Sequence, residues 1–320
     1  MSSASAELSV LSAARGARGV SATRKREALY GFLFASPFLL SLILWSGGPI
    51  IASAALSLFD YDIVSPPRWA GLNNYVQALA KDDLFWPSLQ RTFYYVLLLV
   101  PAGIVGSLLL AWILNREIAG FKLFRALFYI PSLTPGVALA VLWRWILNPK
   151  LGPVNFALKK WFGITGPMWM GEPSWAIPSL VIMSLWGGLG GNRMLIFLAG
   201  LQGVPRELYE AASIDGAGSW RQFIHVTLPI ISPTIFLNLV LSIIGALKAF
   251  DTAYVATRGG PAYATWFIAL HIYQNAFKYY QMGYASALSW IFLAIILAFT
   301  MLQFWLQRHW VYYAGEGRGS

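Results

Sequence analysis

Six long apolar runs divide the chain, and each is long enough to cross a lipid bilayer. They lie at about residues 29–58, 87–114, 125–147, 177–201, 228–250 and 283–306. About 20 apolar residues cross the hydrocarbon core as a helix, and a longer run crosses with a tilt. The first run is too long for the apolar part of a cleavable signal peptide. The pattern therefore predicts an all-α membrane protein with six transmembrane helices.

Helix-breaking residues in the third and fourth runs predict irregular helices there. The third run contains Pro131 and Pro135, which remove helical hydrogen bonds and predict a kink. The fourth run contains four glycines within residues 187–191, directly before Asn192 and Arg193. Glycine lets the backbone approach another group closely, so this interruption predicts contact with a ligand or with a neighbouring helix.

The polar segments between the runs set the orientation. We expect residues 1–28 to be a disordered basic tail, residues 29–310 the six-span domain and residues 311–320 a second tail. Lys and Arg are more numerous in the tails and in the second and fourth connections than in the other three connections. Since basic loops stay in the cytoplasm, both termini are predicted to be cytoplasmic. The first external connection is expected to contain one short surface helix.

The longest polar segment on the cytoplasmic side, residues 204–233, predicts a helix–turn–helix. Glu210 lies in a run of good helix formers, and Gly216 ends that run because glycine readily adopts the left-handed conformation. A second short helix is predicted over residues 219–227, and Pro229 is predicted to begin the fifth apolar run.

The amino-acid composition indicates that most of the chain's surface faces lipid and not water. Of 320 residues, 58% are hydrophobic and 11% charged, whereas soluble domains average about 25% charged residues. The net charge of +10 fits basic loops at an anionic leaflet, so no nucleic-acid partner is expected. The chain has no cysteine, which excludes disulfides, thiolate metal sites and a cysteine nucleophile. Its three histidines, His225, His271 and His309, are far apart in sequence, and we expect no metal site.

The segment over residues 204–233 resembles the EAA loop of ATP-binding-cassette (ABC) import permeases. Glu210-Ala211-Ala212 is followed by three residues and Gly216, then by nine residues and Val226-Thr227-Leu228-Pro229. The family prefers isoleucine where Val226 stands. The resemblance implies a coupling helix that docks into a groove of a separate ATPase, and the candidate coupling residues are Tyr209, Glu210, Ala211, Ala212, Asp215, Gly216 and Pro229. The alternative is an ordinary interfacial helix whose carboxylates cap its ends.

The resemblance extends from about residue 29 to residue 313, over permeases of the maltose and glycerol-phosphate group. Its supporting stretches are residues 71–75, 124–125, 128–131, 143–145, 152, 155, 259–261 and 282–287. It implies the type I ABC importer permease fold in a bacterial or archaeal plasma membrane. It also implies three partners: a second permease, an ATPase dimer and an extracytoplasmic solute-binding protein. The substrate implied is a sugar, an oligosaccharide or a polyol phosphate.

The energy source must lie outside this chain. No Gly-x4-Gly-Lys-Ser/Thr loop is present in the sequence, so the chain is not expected to hydrolyse ATP. We expect no cofactor on this chain, and the resemblance implies ATP and Mg²⁺ on the partner ATPase. It further implies that closure of the ATPase dimer moves the coupling helix as a rigid body and opens the spans outward.

Polar residues within the spans are the candidates for contact with the solute, because ionisable groups in a bilayer must face protein or water. By resemblance, the fourth and fifth spans line the pathway, with Trp186, Asn192, Arg193, Ser242, Lys248 and Asp251 as candidates. Two alternatives stay open. In place of contact with the solute, Arg193 pairs with a carboxylate of the second permease. Likewise, Lys248 and Asp251 form an ion pair with each other on the surface of one helix.

Two other classes of protein are weighed against the importer. An ion-coupled secondary transporter predicts an inverted repeat and buried acidic residues, whereas the spans contain almost no acidic residues and no clear repeat. An intramembrane enzyme acting on lipid predicts paired carboxylates or histidines at membrane depth, which the spans lack. Three external stretches are expected to contact the binding protein: residues 60–86, 149–175 and 257–281. The alternative is that these stretches only connect the transmembrane helices.

Overall fold

The computed structural model describes residues 22–115 and 120–312, which form two compact units divided between Ala55 and Leu56. The first unit is one apolar helical segment made of α1 (Ala22–Ser41), a π-helical turn (Leu42–Gly47) and α2 (Gly48–Leu56). Its apolar part, Arg26–Leu56, is long enough to span a membrane, as predicted. Large apolar side chains on it, such as Phe34 and Trp45, are exposed, as expected for a surface that faces lipid.

The boundary of the predicted N-terminal tail needs a correction. Helix α1 begins at Ala22, so residues 22–28 are helical and not disordered. The segment is rich in Ala, Arg, Lys and Glu, which are good helix formers, and it continues directly into the apolar run. The rest of the predicted tail, residues 1–21, lies outside the described residues, as do residues 313–320 of the predicted C-terminal tail.

The second unit starts with the segment predicted to be external. Strands β1 (Phe59–Asp60) and β2 (Arg68–Trp69) form an antiparallel pair, and the short helix α3 (Asn73–Val76) follows. The side-chain amide of Asn74 donates 2.9 Å hydrogen bonds to the carbonyls of Ser57 and Phe59, which fastens α3 to the pair. The predicted surface helix is therefore present. The strands were not predicted, because two residues are too few to show an alternating pattern.

Two unbroken spans and a series of shorter helices complete the second unit. The unbroken spans are α4 (Phe85–Leu114) and α16 (Met282–Gln307). Helix α4 lies at the centre, and its buried face packs against the fourth and fifth spans. The other elements are α5 (Phe121–Tyr129), a 3₁₀ turn (Ile130–Leu133), α6 (Gly136–Ile146), α7 (Pro153–Phe162), a 3₁₀ turn (Trp169–Gly171), α8 (Pro173–Gly188), α9 (Asn192–Gln202), α10 (Arg206–Ile214), α11 (Ser219–Gln222), a π-helical turn (Phe223–Thr227), α12 (Leu228–Ile230), α13 (Ser232–Leu247), α14 (Asp251–Ala256), α15 (Ile268–Tyr273) and a π-helical turn (Gln274–Lys278).

The third, fourth and fifth predicted spans are all bent. The third turns by 95° between its two halves, the fourth by 52° between α8 and α9, and the helix ending at Ile230 turns by 69° into α13. Pro131 and Pro135 lie at the first of these bends, so the kink predicted there is present. The angle of 95° between the two halves of the third span is much sharper than a proline kink alone produces. A re-entrant segment, which enters the membrane and returns to the same side, would have the same bend.

The start of the fifth span also needs a correction. Pro229 does not begin the span. It lies in α12, before the bend, and the span begins at Ser232. The break falls there because Pro233 has no N–H to donate to the carbonyl of Pro229. The Ser232 hydroxyl donates to that carbonyl instead, at 2.7 Å.

The bends of the third and fourth spans face each other. A Cβ atom on Gly190 would overlap the backbone carbonyl of Phe128, and one on Gly191 would lie 2.9 Å from the Cβ of Ser132. The Tyr129 hydroxyl donates a 3.3 Å hydrogen bond to the side-chain carbonyl of Asn192. Of the two roles that the sequence left open for these glycines, the structure shows contact with a neighbouring helix.

Substitution Gly190→Ala is expected to destabilise the protein by about 1–3 kcal/mol, since the added methyl group meets a backbone carbonyl that cannot rotate away. Gly188→Ala is the matched control, because a Cβ there has no neighbour within 4 Å. Thermal unfolding of the detergent-purified protein measures both. Equal midpoints for the two variants would contradict the packing described here.

A buried polar network joins three distant parts of the second unit. Nε2 of His271 lies 2.7 Å from a carboxylate oxygen of Asp82, and the hydroxyl of Tyr284 donates to the same oxygen. The indole N–H of Trp266 donates to Nδ1 of His271, so the proton of a neutral ring lies on Nε2 and points at the carboxylate. The Leu84 amide donates to the other oxygen of Asp82 at 2.8 Å. The network fastens the start of α4 to α15 and α16.

The same contacts keep Asp82 ionised. Burial raises the pKa of this carboxyl, but hydrogen bonds from Tyr284, the Leu84 amide and His271 outweigh burial. The pKa of Asp82 is therefore below its ordinary value of 3.8. A depressed pKa stabilises the fold above the unfolded-state value, and this contribution is lost as the pH falls through the lower pKa of the folded protein.

Substitution Asp82→Asn is expected to cost about 2 kcal/mol of stability, because hydrogen bonds to a charged acceptor are replaced by weaker ones. The variant should also lack the part of the acid-induced loss of stability that Asp82 contributes below pH 3.8. Asp83→Asn, at the exposed neighbouring position, is the control. Unfolding midpoints measured between pH 3 and pH 7 test this, and parallel pH curves for native protein and Asp82→Asn would contradict it.

Candidate coupling and translocation sites

The predicted helix–turn–helix is present over α10 to α12, and Gly216 forms its turn. Gly216 has φ +78°, in the left-handed region. Its N–H donates to the carbonyl of Ser213, and the N–H of Ala217 donates to the carbonyl of Ala212. This pair of bonds is a Schellman motif, which satisfies the last carbonyls of α10. The prediction that glycine ends this helix is correct.

Side-chain hydrogen bonds hold the two helices of this motif together. The hydroxyl of Tyr209 on α10 lies 2.9 Å from that of Thr227, which is buried after α11. The Gln222 amide donates to the Ser213 hydroxyl at 2.8 Å and to the Ala217 carbonyl at 3.0 Å. Tyr209 is half-buried, so the structure gives this candidate residue an internal role. These hydrogen bonds therefore hold the helix–turn–helix together as one structural unit.

The other candidate coupling residues divide by exposure. Glu210, Ala211 and Asp215 are exposed, whereas Ala212 is half-buried. Asp215 is the C-cap residue of α10, where its backbone N–H donates to the carbonyl of Ala211 at 3.1 Å, while its ionised carboxylate has no proton to donate to the last carbonyls of the helix. Sequence reasoning missed Ile214, whose side chain is 87% exposed at the end of α10. An isoleucine next to the polar turn was the available clue to this surface.

Substitution Gly216→Ala is expected to cost about 1–2 kcal/mol, because an L-residue resists the left-handed conformation. Local opening of the turn should become roughly 5–30 times more frequent. Gly218→Ala is the control, since Gly218 has φ −70° and equally open surroundings. The rate of limited tryptic cleavage after the exposed Arg221 measures local opening, and equal rates in both variants would contradict the strain argument.

A cavity of about 540 Å³ lies between α4, α9 and α13 and extends to the start of α14. Five of the six predicted pathway residues line it: Asn192, Arg193, Ser242, Lys248 and Asp251. Trp186 is not among the lining residues. Its ring instead packs edge-on against Trp143, with 6.2 Å between the ring centroids. The structure thus brings together residues from the fourth and fifth spans and separates Trp186 from them.

The cavity also contains polar residues that sequence reasoning missed. Tyr95, Asn238 and Thr252 line it. Asn238 lies four residues before Ser242 on α13, so the two share one face of the helix. This spacing within an apolar run was visible in the sequence. Tyr95 is on α4, and nothing in the sequence placed it beside α9.

The charged residues of the cavity come from separate elements. Lys248 follows the last residue of α13, and Asp251 is the first residue of α14. They do not share a helix, and no ion pair joins them, so the alternative of an ion pair on the surface of one helix does not hold. Arg193 lies in the first turn of α9 and reaches α4, where a Cβ on Gly103 would overlap its guanidinium.

A second cavity, of about 660 Å³, lies in the segment predicted to be external. It is lined by Lys150, Lys159 and Lys160 together with Asn155. The side-chain oxygen of Asn155 accepts a 2.7 Å hydrogen bond from the Trp169 indole, which holds this lining residue in place. Three cations around one opening form a positively charged surface. Among residues 22–115 and 120–312, no group of acidic or histidine side chains could hold a metal ion.

Broken spans that line a cavity, with a helix–turn–helix inserted between two of them, define a membrane transport permease. The sequence matches the family model described as binding-protein-dependent transport system inner membrane component over residues 103–312. It is 40% identical to the probable ABC transporter permease protein YesP of Bacillus subtilis, over 91% of this chain and 94% of that protein. It is 34% identical to the trehalose/maltose transport system permease protein MalF of Thermococcus litoralis, over 87% of this chain and 93% of that protein.

A solved bacterial ABC transporter involved in the import of the acidic polysaccharide alginate shares the fold, with a TM-score of 0.77. It is 24% identical and covers 89% of this chain and 96% of its own. The chain therefore belongs to the family of binding-protein-dependent transport system inner membrane components. It is a multi-pass permease subunit of an ABC importer of the carbohydrate type. The prediction of a type I permease fold is confirmed, and nothing in these likenesses favours an ion-coupled carrier.

Proposed function

We propose that this chain is one transmembrane half of a carbohydrate importer and that α10 is its coupling helix. A second permease forms the other half, and an ATPase dimer carries the ATP and Mg²⁺. Both termini lie in the cytoplasm of a bacterial or archaeal cell, and the chain spans the plasma membrane. The cavity that contains Arg193 and Ser242 is the pathway for a sugar, an oligosaccharide or a polyol phosphate.

One observation carries the coupling proposal: the helix–turn–helix, whose two helices are joined by side-chain hydrogen bonds, has an exposed surface that is both apolar and acidic. Ile214 presents an exposed apolar side chain, and Glu210 and Asp215, close to it in sequence, are exposed carboxylates. An apolar anchor with a polar rim is the usual composition of a protein interface. Because Tyr209 and Thr227 join the two helices, a force on this surface moves the whole motif.

The segments predicted to be external supply the proposed contact with the solute-binding protein. These are residues 60–86, 149–175 and 257–281. The positively charged opening around Lys150, Lys159 and Lys160 supports an acidic partner surface there, since complementary charge speeds association.

Substitution Ile214→Asp is expected to weaken retention of the ATPase by about ten- to hundred-fold, since it replaces one buried apolar side chain of an interface by a charge. Ile214→Leu, which keeps the apolar surface, is the matched control. Both variants are purified from the native membrane with their partners, and the bound ATPase and its hydrolysis rate are measured.

If Ile214→Asp and Ile214→Leu recover equal amounts of ATPase, Ile214 on α10 is not part of the interface with the ATPase. Recovery of the native chain without any P-loop ATPase, together with solute uptake driven by an ion gradient alone, would overturn the importer proposal itself.

A further inference from the structure

We propose that the cavity between α4, α9 and α13 recognises a saccharide carrying a carboxylate or a sulfonate, and that Arg193 and Lys248 bind this anionic group. The inference rests on the assignment of this cavity as the solute pathway and narrows the substrate to an anionic class.

Arg193 is a cation held in place without a counter-charge on the described part of the chain. It is half-buried, and its guanidinium lies against the backbone of α4 at Gly103, where only glycine leaves room. Within residues 22–115 and 120–312, no carboxylate pairs with it. A cation within a membrane span is costly unless it faces water, a ligand or a partner charge. The planar guanidinium matches a carboxylate or a sulfonate through paired hydrogen bonds.

The charged residues around the cavity leave it positive. Arg193 and Lys248 are its cations, and Asp251 is its only carboxylate among the lining residues. Helix α4 contributes one titratable lining group, the neutral phenol of Tyr95. Charge focused in a cleft with low-dielectric walls raises the local concentration of ions of opposite sign. The cavity is therefore suited to an anion.

The remaining lining residues suit a sugar ring. Asn192 and Ser242 offer hydrogen-bonding groups for hydroxyls. Apolar surface for ring C–H groups comes from three other lining residues, Leu99, Ile196 and Leu241. The volume of about 540 Å³ lies within the roughly 300–1,000 Å³ of small-molecule sites. A neutral sugar would use these groups and leave Arg193 without a counter-charge, whereas an anionic saccharide would supply one.

Ligand protection against thermal unfolding tests the proposal on the purified complex without its solute-binding protein, so that the selectivity of that protein does not enter. The probes are a panel of uronic-acid disaccharides, each compared with its own methyl ester, which has the same shape and no charge. At least one acid is expected to protect at a concentration about ten- to hundred-fold lower than its ester, the factor for a charge-assisted hydrogen bond.

Three variants assign that preference to residues. Arg193→Gln should abolish the preference of acid over ester while protection by the ester remains. Gly103→Ala keeps the charge but displaces the guanidinium, so it should reduce the preference as well. Lys122→Gln removes an exposed cation outside the cavity and should leave the preference unchanged.

Equal protection by acid and ester across the whole panel would overturn the proposal. So would loss of the second permease from the complex in Arg193→Gln, because Arg193 would then pair with a partner carboxylate. The assay measures binding and not ATP hydrolysis. Absence of an ATPase from the purified complex would therefore count against the proposed function. The preference for acid over ester could still be measured, because it does not depend on the ATPase.

Discussion

In hydrocarbon every backbone N–H and C=O needs a partner, so a span can break only where protein or a water-filled cavity covers the break. This chain breaks the third and fourth spans, and the glycines at the fourth break pack against the third span. Gly190 allows the approach to the carbonyl of Phe128, and the hydroxyl of Tyr129 reaches Asn192. The break of the fourth span, at Gly190 and Gly191, is buried by this contact, so the position of the fourth span depends on it.

The position of the cavity follows from the same contact. Helix α9 begins immediately after the covered break, and its first turn carries Asn192 and Arg193. Because the break turns the fourth span by 52°, this first turn is directed toward α4 and α13 instead of continuing the line of α8. A straight fourth span would place Arg193 elsewhere. Irregular backbone in a membrane protein is typically tolerated where it lines such a cavity.

Much of this architecture follows from sequence because its causes are local. Apolar length predicts the spans, and Gly216 predicts the end of α10 because the left-handed conformation is a property of one residue. The 95° bend was not predictable in size, since a proline removes a hydrogen bond but tertiary packing decides the direction of the chain afterwards. The contact between Asp82 and His271 joins residues 189 positions apart, and no periodic pattern reports such a pairing.

The helix–turn–helix lies between two elements that both line the cavity. Three residues separate α10 from α9, and α12 leads into α13 through the bend at Ile231. Helix α9 carries Arg193 and α13 carries Ser242, so a displacement of the motif acts on two walls of the cavity at once. The hydrogen bond between Tyr209 and Thr227 opposes independent movement of α10 and the helix that follows. If α10 is the coupling helix, as proposed, a force applied at Ile214 reaches both walls together, and such a rigid-body movement is the kind that alternating access uses.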